Sequence, residues 1–167
     1  SQQIAFQIAP RINAVGRMKH ANVAFELLDC EEGEEAKARM LALEVEEKNK
    51  HRQKVTDVIA KEVDKKLLEY KELPDFIIEY SPHWELGVIG LVAGKIATKY
   101  NRPTILLQEK NGQLKGSGRS IEAFDLGSAL KENPELFIKF GGHAQAVGLD
   151  MEKGNLSKLK KAMNSAV

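Results

Sequence analysis

The stretch Phe76-Ile77-Ile78-Glu79-Tyr80 is an apolar run of the kind that forms a buried strand. The segment from Gly87 to Tyr100 follows it, with apolar residues at the three-to-four spacing of an amphipathic helix. A second β-rich run, Thr104 to Gln108, comes next. This order of strand, helix and strand predicts the centre of an α/β domain.

Toward the C-terminus, the sequence predicts further strands at Leu114 to Ile121 and Ala146 to Met151, and a last amphipathic helix at Leu156 to Met163. Toward the N-terminus, the texture changes at Pro74, which follows Leu73. We therefore expect a compact α/β domain from about residue 74 onward.

Upstream of this boundary, forty residues from Glu34 to Leu73 contain no Gly or Pro and predict one long helix. At 1.5 Å per residue it would span roughly 50 to 60 Å. Its middle, Glu46 to Lys54, has no apolar residue, which is typical of a helix that bridges two domains or lines a polar cleft, and equally of an ordinary solvated helix. A short helix is predicted before it, at Ala21 to Cys30.

Composition excludes several classes of protein. With 167 residues, 43% hydrophobic and 29% charged, the chain can form a core and is not disordered. Lys and Arg (25) nearly balance Asp and Glu (24), so any binding to nucleic acid must depend on a local patch. One cysteine, no signal-like N-terminus and no long apolar run predict a cytoplasmic protein that does not bind a membrane. The chain begins in motif-like sequence, which suggests a piece of a longer protein.

Three glycine-bearing polar clusters stand out: Pro10 to Arg17, Gly116 to Ser120, and Gly141 to Ala144. Glycine lets successive amides converge on an anion, and Arg adds a planar fork that matches phosphate oxygens. Phosphate is therefore the predicted ligand. For any single cluster, the alternative is a hairpin turn beside a solvated Arg.

The histidines differ in interest. His143 is a candidate hydrogen-bond donor to phosphate, a candidate general acid or a core residue that hydrogen-bonds to backbone. A role in binding or catalysis is favoured over the core role. His20, His51 and His83 have no partner at metal-ligand spacing and are assigned no role. Trp84 is interpreted as a packing residue. No Asp/His cluster of the kind that holds two metal ions is present in the sequence, so no metal site is predicted in the chain.

Five motifs in this order resemble the C-terminal part of the RecJ exonuclease family, in the DHH phosphoesterase superfamily. They are Pro10-Arg11-Ile12-Asn13-Ala14-Val15-Gly16-Arg17, the stretch Asn49 to Gln53, Gly87-Val88-Ile89-Gly90, Gly116-Ser117-Gly118-Arg119-Ser120 and Gly141-Gly142-His143. The resemblance implies an α/β fold in which a long connecting helix precedes a compact DHHA1-type domain, with a mixed β-sheet flanked by helices. It also implies three parts: the tail of a DHH catalytic domain (1–33), the interdomain helix (34–73) and the DHHA1 substrate-binding domain (74–167).

The resemblance assigns the glycine clusters to substrate phosphate. The implied residues are Arg119, Ser117, Gly118, Ser120, His143, Gly141 and Gly142, with Asn13 and Arg17 approaching the same cleft from the other side. It places Mn²⁺ or Mg²⁺ on Asp and His residues of an upstream domain, with no catalytic residue and no metal in this chain. The chain departs from the family where Glu85 stands in place of a usual histidine and Val147 in place of a usual alanine.

The resemblance also implies a function. The full-length protein would be a metal-dependent exonuclease that degrades single-stranded DNA from the 5′ end in recombination and repair, and this chain alone would be inactive. A single-strand-binding protein and a RecQ-type helicase are the partners it suggests. The alternatives are a hydrolase of oligonucleotides, cyclic dinucleotides or bisphosphorylated nucleotides, or a non-enzymatic nucleic-acid-binding module.

Overall fold

A computed structural model describes residues 2–17 and 22–166. The chain forms two compact units, residues 1–55 and 56–167. His20 and the predicted first residue of the short helix, Ala21, lie outside the described residues. In the described ranges, no helix is both long enough and apolar enough to cross a membrane.

The first unit is helical. A π-helical segment (Ile4–Ile8) leads into α1 (Ala9–Arg17), α2 (Asn22–Leu28) and the first part of α3 (Glu35–Leu67). Val15, Ala24 and Val45 form its small buried core. Arg11 links α1 to α3, because its Nε donates to Glu46 Oε2 at 2.6 Å. The Arg11 of the first motif is thus a bracing residue.

The long helix is confirmed, but α3 ends at Leu67 and not at Leu73. Its last turn tightens, since the amide of Tyr70 donates to the Leu67 carbonyl, three residues back. The turn brings the Tyr70 hydroxyl to Glu79 Oε1 at 2.6 Å, and burial together with this hydrogen bond raises the pKa of Tyr70 to about 12. Within the polar window Glu46 to Lys54, Asn49 is buried and its Oδ1 accepts a hydrogen bond from Arg52 Nη2 at 2.9 Å.

The second unit contains a five-stranded sheet in the order β1-β2-β3-β5-β4. Strands β1 and β2 are parallel and every other pair is antiparallel. The strands are β1 (Ile77–Ser81), β2 (Thr104–Lys110), β3 (Gln113–Arg119), β4 (Lys139–His143) and β5 (Ala146–Glu152). The helices are α4 (Leu86–Tyr100), α5 (Leu126–Lys131) and α6 (Leu156–Ala166). The predicted mixed sheet flanked by helices is confirmed.

Helices cover the two faces of the sheet unequally. On one face α5 and α6 bury the main core, with Leu126, Leu130, Leu159 and Met163 against the strands. On the other face α4 packs against β2 and β3. The part of this second face formed by β5 and β4 carries exposed residues, among them Gly148, Gly141 and His143. The sheet therefore presents a partly uncovered face on the side of α4.

The C-terminal part of α3 packs within the second unit. Ile59, Val63 and Leu67 are buried, and Glu62 Oε2 accepts a hydrogen bond from Nε1 of Trp84 at 2.7 Å. Trp84 is 1% exposed, so its interpretation as a packing residue is confirmed. The helix contributes to this unit from residue 56, well before the predicted boundary at 73/74.

Cutting the chain at two places tests this contribution. We expect residues 56–167 to melt cooperatively and residues 74–167 to melt more than about 10 °C lower. The shorter segment loses three buried apolar side chains, each worth about 1.5 to 3 kcal/mol, and 1 kcal/mol shifts Tm by about 4 to 8 °C in a domain of this size. Circular dichroism melts of both segments and of the whole chain provide the measurement. Equal melting temperatures for the two segments would show that the helix adds nothing to this unit.

Candidate functional site

The side chains of β3 alternate between the two faces of the sheet. A Cβ at Gly118 would lie 2.8 Å from Leu126 Cδ2 and from Val147 Cγ2, so Gly118 faces the main core. Because successive residues of a strand point to opposite faces, Ser117 and Arg119 face the side of α4. Two polar side chains of one motif thereby lie half-buried beside α4, on the face whose β5 and β4 part is uncovered.

The Gly116–Ser120 cluster is therefore not a loop that cradles an anion with its amides. Residues 113–119 pair with β2 on one side and β5 on the other, so their backbone hydrogen bonds belong to the sheet. Gly118 is buried and has no open surface, and a Cβ at Gly116 would overlap the Leu106 carbonyl. Ser120 donates its hydroxyl to the Phe124 carbonyl at 2.6 Å and braces the following turn. The structure does not support Gly118 and Ser120 as phosphate ligands.

Helix α4 leaves space for the side chain of Arg119. A Cβ at Gly90 would lie 3.1 Å from Arg119 Nη2 and 3.4 Å from Ser117 Oγ, whereas a Cβ at Gly94 would lie 3.7 Å from Arg119 Cγ. Nη1 of Arg119 donates to the Gly118 carbonyl at 2.7 Å, which orients the guanidinium. The glycine at position 90 thus lets the helix approach the two polar residues of β3 closely.

His143 ends the edge strand β4 and is exposed. Its Nδ1 accepts a hydrogen bond from the Gln145 amide at 3.3 Å. In a neutral imidazole the other nitrogen then carries the proton, so Nε2–H is available as an outward donor. Of the two glycines before it, Gly142 has φ +145° and lies too close to the Ala146 carbonyl for a side chain, and Gly141 faces open space.

The strand register brings these residues together. Arg119 pairs with Ala146 and Ala146 with His143, and in the next row Ser117 pairs with Gly148 and Gly148 with Gly141. At about 4.8 Å per strand spacing, the backbones of Arg119 and His143 are roughly 10 Å apart, within reach of one shared anion. Small residues form the floor between them. The structure therefore places the guanidinium of Arg119, the hydroxyl of Ser117 and the imidazole of His143 on one face of the sheet, with small residues of β5 between them.

Asn13 and Arg17 lie in the first unit, four residues apart on α1 and so on one face of it. They line a pocket with Ile12, Gly16 and Ala24. Burial lowers the pKa of the Arg52 guanidinium, and the positive charge of Arg17 lowers it further. Arg52 was not selected from the sequence, although it lies in one of the five motifs. That Asn13 and Arg17 share a ligand with Arg119 stays a prediction.

The side chains present do not fit a metal centre. Among residues 2–17 and 22–166, no group of three or more His, Cys, Asp or Glu side chains comes together in a way that could hold a metal ion. Asp125, for example, caps α5 by accepting hydrogen bonds from the amide and hydroxyl of Ser128, each at 2.9 Å.

Residues 73–167 match the DHHA1 domain family. The chain belongs to this family. It is 36% identical over its whole length to the single-stranded-DNA-specific exonuclease RecJ of Haemophilus influenzae, and 35% identical over 98% of its length to RecJ of Bacillus subtilis. It spans 30% and 21% of these two relatives, respectively.

Solved RecJ structures have the same fold. RecJ of Thermus thermophilus in complex with Mn²⁺ superimposes with a TM-score of 0.84 at 29% identity, over 98% of this chain and 24% of that one. The complex of the same protein with Mg²⁺ gives 0.83 at 30% identity, over 98% and 25%. The predicted resemblance to the C-terminal part of RecJ is confirmed.

Proposed function

We propose that this chain is the substrate-binding part of a RecJ-like exonuclease that hydrolyses single-stranded DNA from its 5′ end in recombination and repair. The observation that carries the proposal is the placement of Arg119, Ser117 and His143 on one face of the sheet, within two neighbouring rows of the strand register. Guanidinium and imidazole N–H donors bind phosphate oxygens strongly because the acceptor is charged. In this proposal the three side chains hold and orient the phosphate at the scissile end of the strand.

The shape of the surface favours a polymer over a small nucleotide. Small-molecule sites are concave and bury most of their ligand. Here Gly141, Gly148 and His143 are exposed on an open sheet face, which lets a strand extend beyond the phosphate that is held. This favours the exonuclease over a hydrolase of cyclic dinucleotides or bisphosphorylated nucleotides. The other alternative is a module that binds nucleic acid without hydrolysing it. A measurement of nuclease activity in the full-length protein distinguishes this alternative from an exonuclease.

We further propose that the metal ions, Mn²⁺ or Mg²⁺, are held by Asp and His residues of a DHH domain outside this chain. Residues 1–33 would be the tail of that domain, 34–73 the connecting helix and 74–167 the binding domain. The first unit supports this division, because Phe6, Phe25 and Leu28 are each about 70% exposed or more. Large apolar side chains are normally buried, so we expect another domain to cover the surface that these three residues form. The family match over 73–167 agrees with the third part.

Single-stranded DNA is the ligand of this proposal, and the cytoplasm is where an enzyme of bacterial DNA repair would act on it. A single-strand-binding protein and a RecQ-type helicase follow from the resemblance alone. They stay predictions.

Binding and hydrolysis measured together test the proposal. We expect the chain to bind 5′-phosphorylated single-stranded DNA weakly, with affinity falling as salt rises, because each phosphate contact releases a counterion. Fluorescence anisotropy with a 3′-labelled oligonucleotide measures this, with a duplex of the same sequence and a cyclic dinucleotide as comparison ligands. No cleavage is expected with Mn²⁺ present, whereas the full-length protein should cleave. Preference for the cyclic dinucleotide, or cleavage by the purified chain that Arg119→Ala abolishes, would contradict the proposal.

A single added methyl group on α4 tests whether binding of the strand depends on the space that α4 leaves for the Arg119 side chain. We expect Gly90→Ala to weaken binding of the 5′-phosphorylated strand by about 5- to 10-fold, the loss of a good part of one charge-assisted contact, because Arg119 Nη2 must move away. The melting temperature should stay or rise, since alanine favours a helix by about 1 kcal/mol over glycine. Gly94→Ala is the matched control, with the same helical gain and normal packing distance. If the two variants bind the 5′-phosphorylated strand equally well, the space that Gly90 leaves for Arg119 does not contribute to binding.

A further inference from the structure

The uncovered face of the sheet continues past the phosphate-binding residues. Three rows of side chains cross β3, β5 and β4 in register on this face. The first row is Arg119, Ala146 and His143; the second is Ser117, Gly148 and Gly141; the third is Lys115, Asp150 and Lys139. We call this third row the lysine row. It occurs in none of the five motifs and was not selected from the sequence.

A groove connects the lysine row to the two glycines of the second row, Gly141 and Gly148, which we call the glycine floor. Lys115, Lys139 and Asp150 line it together with Gly141 and Gly148, with a volume of about 320 Å³. A Cβ at Gly141 would meet nothing within 4 Å, and one at Gly148 would come no closer than 3.9 Å to another atom. The glycines thus keep a shallow channel open between the first row and the lysine row.

The charge of the lysine row is positive. Lys115 Nζ contacts Asp150 Oδ2 at 3.0 Å, which offsets one of the two lysines. Lys139 is exposed, and within the described part of the chain it enters no ion pair. A net charge of +1 therefore remains at this end of the groove, on a side chain that can reach a ligand in the channel.

The spacing suits a strand that runs along the sheet. Side chains on one face of an antiparallel strand are about 6.8 Å apart, so the lysine row lies roughly 14 Å from Arg119 and His143. An oligonucleotide held by its terminal phosphate in the first row would pass its sugars over the glycine floor. A later phosphate of the same strand would then arrive at Lys139.

We propose that Lys139, with Lys115, forms a second phosphate subsite, which takes a later phosphodiester of the strand whose terminal phosphate is held by Arg119 and His143. The proposal rests on the proposed function and adds to it the path of the strand over the sheet. The carboxylate of Asp150 repels a bound phosphate, so its negative charge lowers the affinity of this subsite for the phosphodiester. Lys139 lies on the edge strand β4, where a lysine also prevents the strand from pairing with another chain. That alternative role requires no ligand.

The test compares two lengths of one ligand. The 167-residue chain is titrated with 5′-phosphorylated thymidylate of two and of six nucleotides, and binding is followed in the amide NMR spectrum. We expect Lys139→Ala to weaken hexanucleotide binding about 3- to 10-fold, to reduce the salt slope by about 0.7 and to leave dinucleotide binding unchanged. Asp150→Asn should act in the opposite direction and tighten only the hexanucleotide, by about 2- to 5-fold. Lys158→Ala, at an exposed lysine of α6 on the other side of the sheet, is the matched control.

Arg119→Ala separates this proposal from the proposed function. It should weaken both lengths, because the terminal phosphate is common to them. If Arg119→Ala changes neither, the proposed function itself fails. If Arg119→Ala weakens both lengths while Lys139→Ala behaves like Lys158→Ala, or weakens both lengths equally, the second subsite is overturned and the proposed function stands.

Discussion

Arg119→Ala in the full-length protein is expected to slow cleavage of single-stranded DNA by about 30- to 1,000-fold. In the proposed function the guanidinium holds a phosphate whose charge distribution changes in the transition state, and such contacts contribute on the order of 2 to 4 kcal/mol to catalysis. Arg119→Lys should recover only part of the loss, because an ammonium restores the charge without the planar fork. Single-turnover cleavage measures the effect apart from product release.

A thermal melt of each variant is the control for that experiment. The guanidinium of Arg119 lies against α4 and is half-buried, and its removal takes away no part of the main core. We therefore expect the melting temperature to change little. His143→Ala, at an exposed strand end, should behave in the same way with a loss at the lower end of the range. Near-normal cleavage, or a fall in melting temperature that accounts for the lost activity, would assign both residues a structural role.

Gly116→Ala is expected to have the largest effect on stability. A Cβ there would overlap the backbone carbonyl of Leu106 and lie 2.9 Å from Leu107 Cα, and neither atom can move without separating β2 from β3. Overpacking of a core costs typically 1 to 3 kcal/mol, and a clash with backbone in a central strand should exceed that range. We expect the variant to melt at least about 15 °C below the parent or to fail to fold.

Gly141→Ala is the matched control, because Gly141 also lies in a strand of the same sheet but a Cβ there would meet nothing within 4 Å. Its melting temperature should stay close to that of the parent. Differential scanning calorimetry of the two variants provides the comparison. If Gly116→Ala melts like Gly141→Ala, the close approach of β2 and β3 at this point does not require glycine.

Local sequence predicted most elements because their signals are local. The apolar run at 76–80, the helical spacing at 87–100 and the run at 104–108 correspond to β1, α4 and β2 with every end within two residues. Helix α1 was not predicted, because its sequence was interpreted as a glycine-bearing cluster, and neither was β4, whose sequence Lys-Phe-Gly-Gly-His contains no β-branched residue and carries two glycines. Its strand conformation comes from pairing with β5, which no local pattern encodes.

The residue types of the candidate site were also evident from the sequence, since arginine, serine, histidine and glycine have the donors and the backbone freedom that phosphate binding needs. The resemblance to a known family followed from the same motifs. What the sequence could not determine was the direction in which each residue faces. Gly118 and Ser117 are neighbours in one motif, yet Gly118 faces the main core and Ser117 faces α4.

By itself, then, the sequence determined the α/β class, the long helix and the chemistry of the phosphate-binding residues, because periodicity and residue type act over a few positions. Only the tertiary structure decided which of them share a surface. Strand register places Arg119 and His143, 24 positions apart in the chain, in one row on either side of β5, and adds Lys115 and Lys139 to the same face. Such pairing depends on the close approach of distant strands and on the packing of α4 against them, and neither is written in any short stretch of sequence.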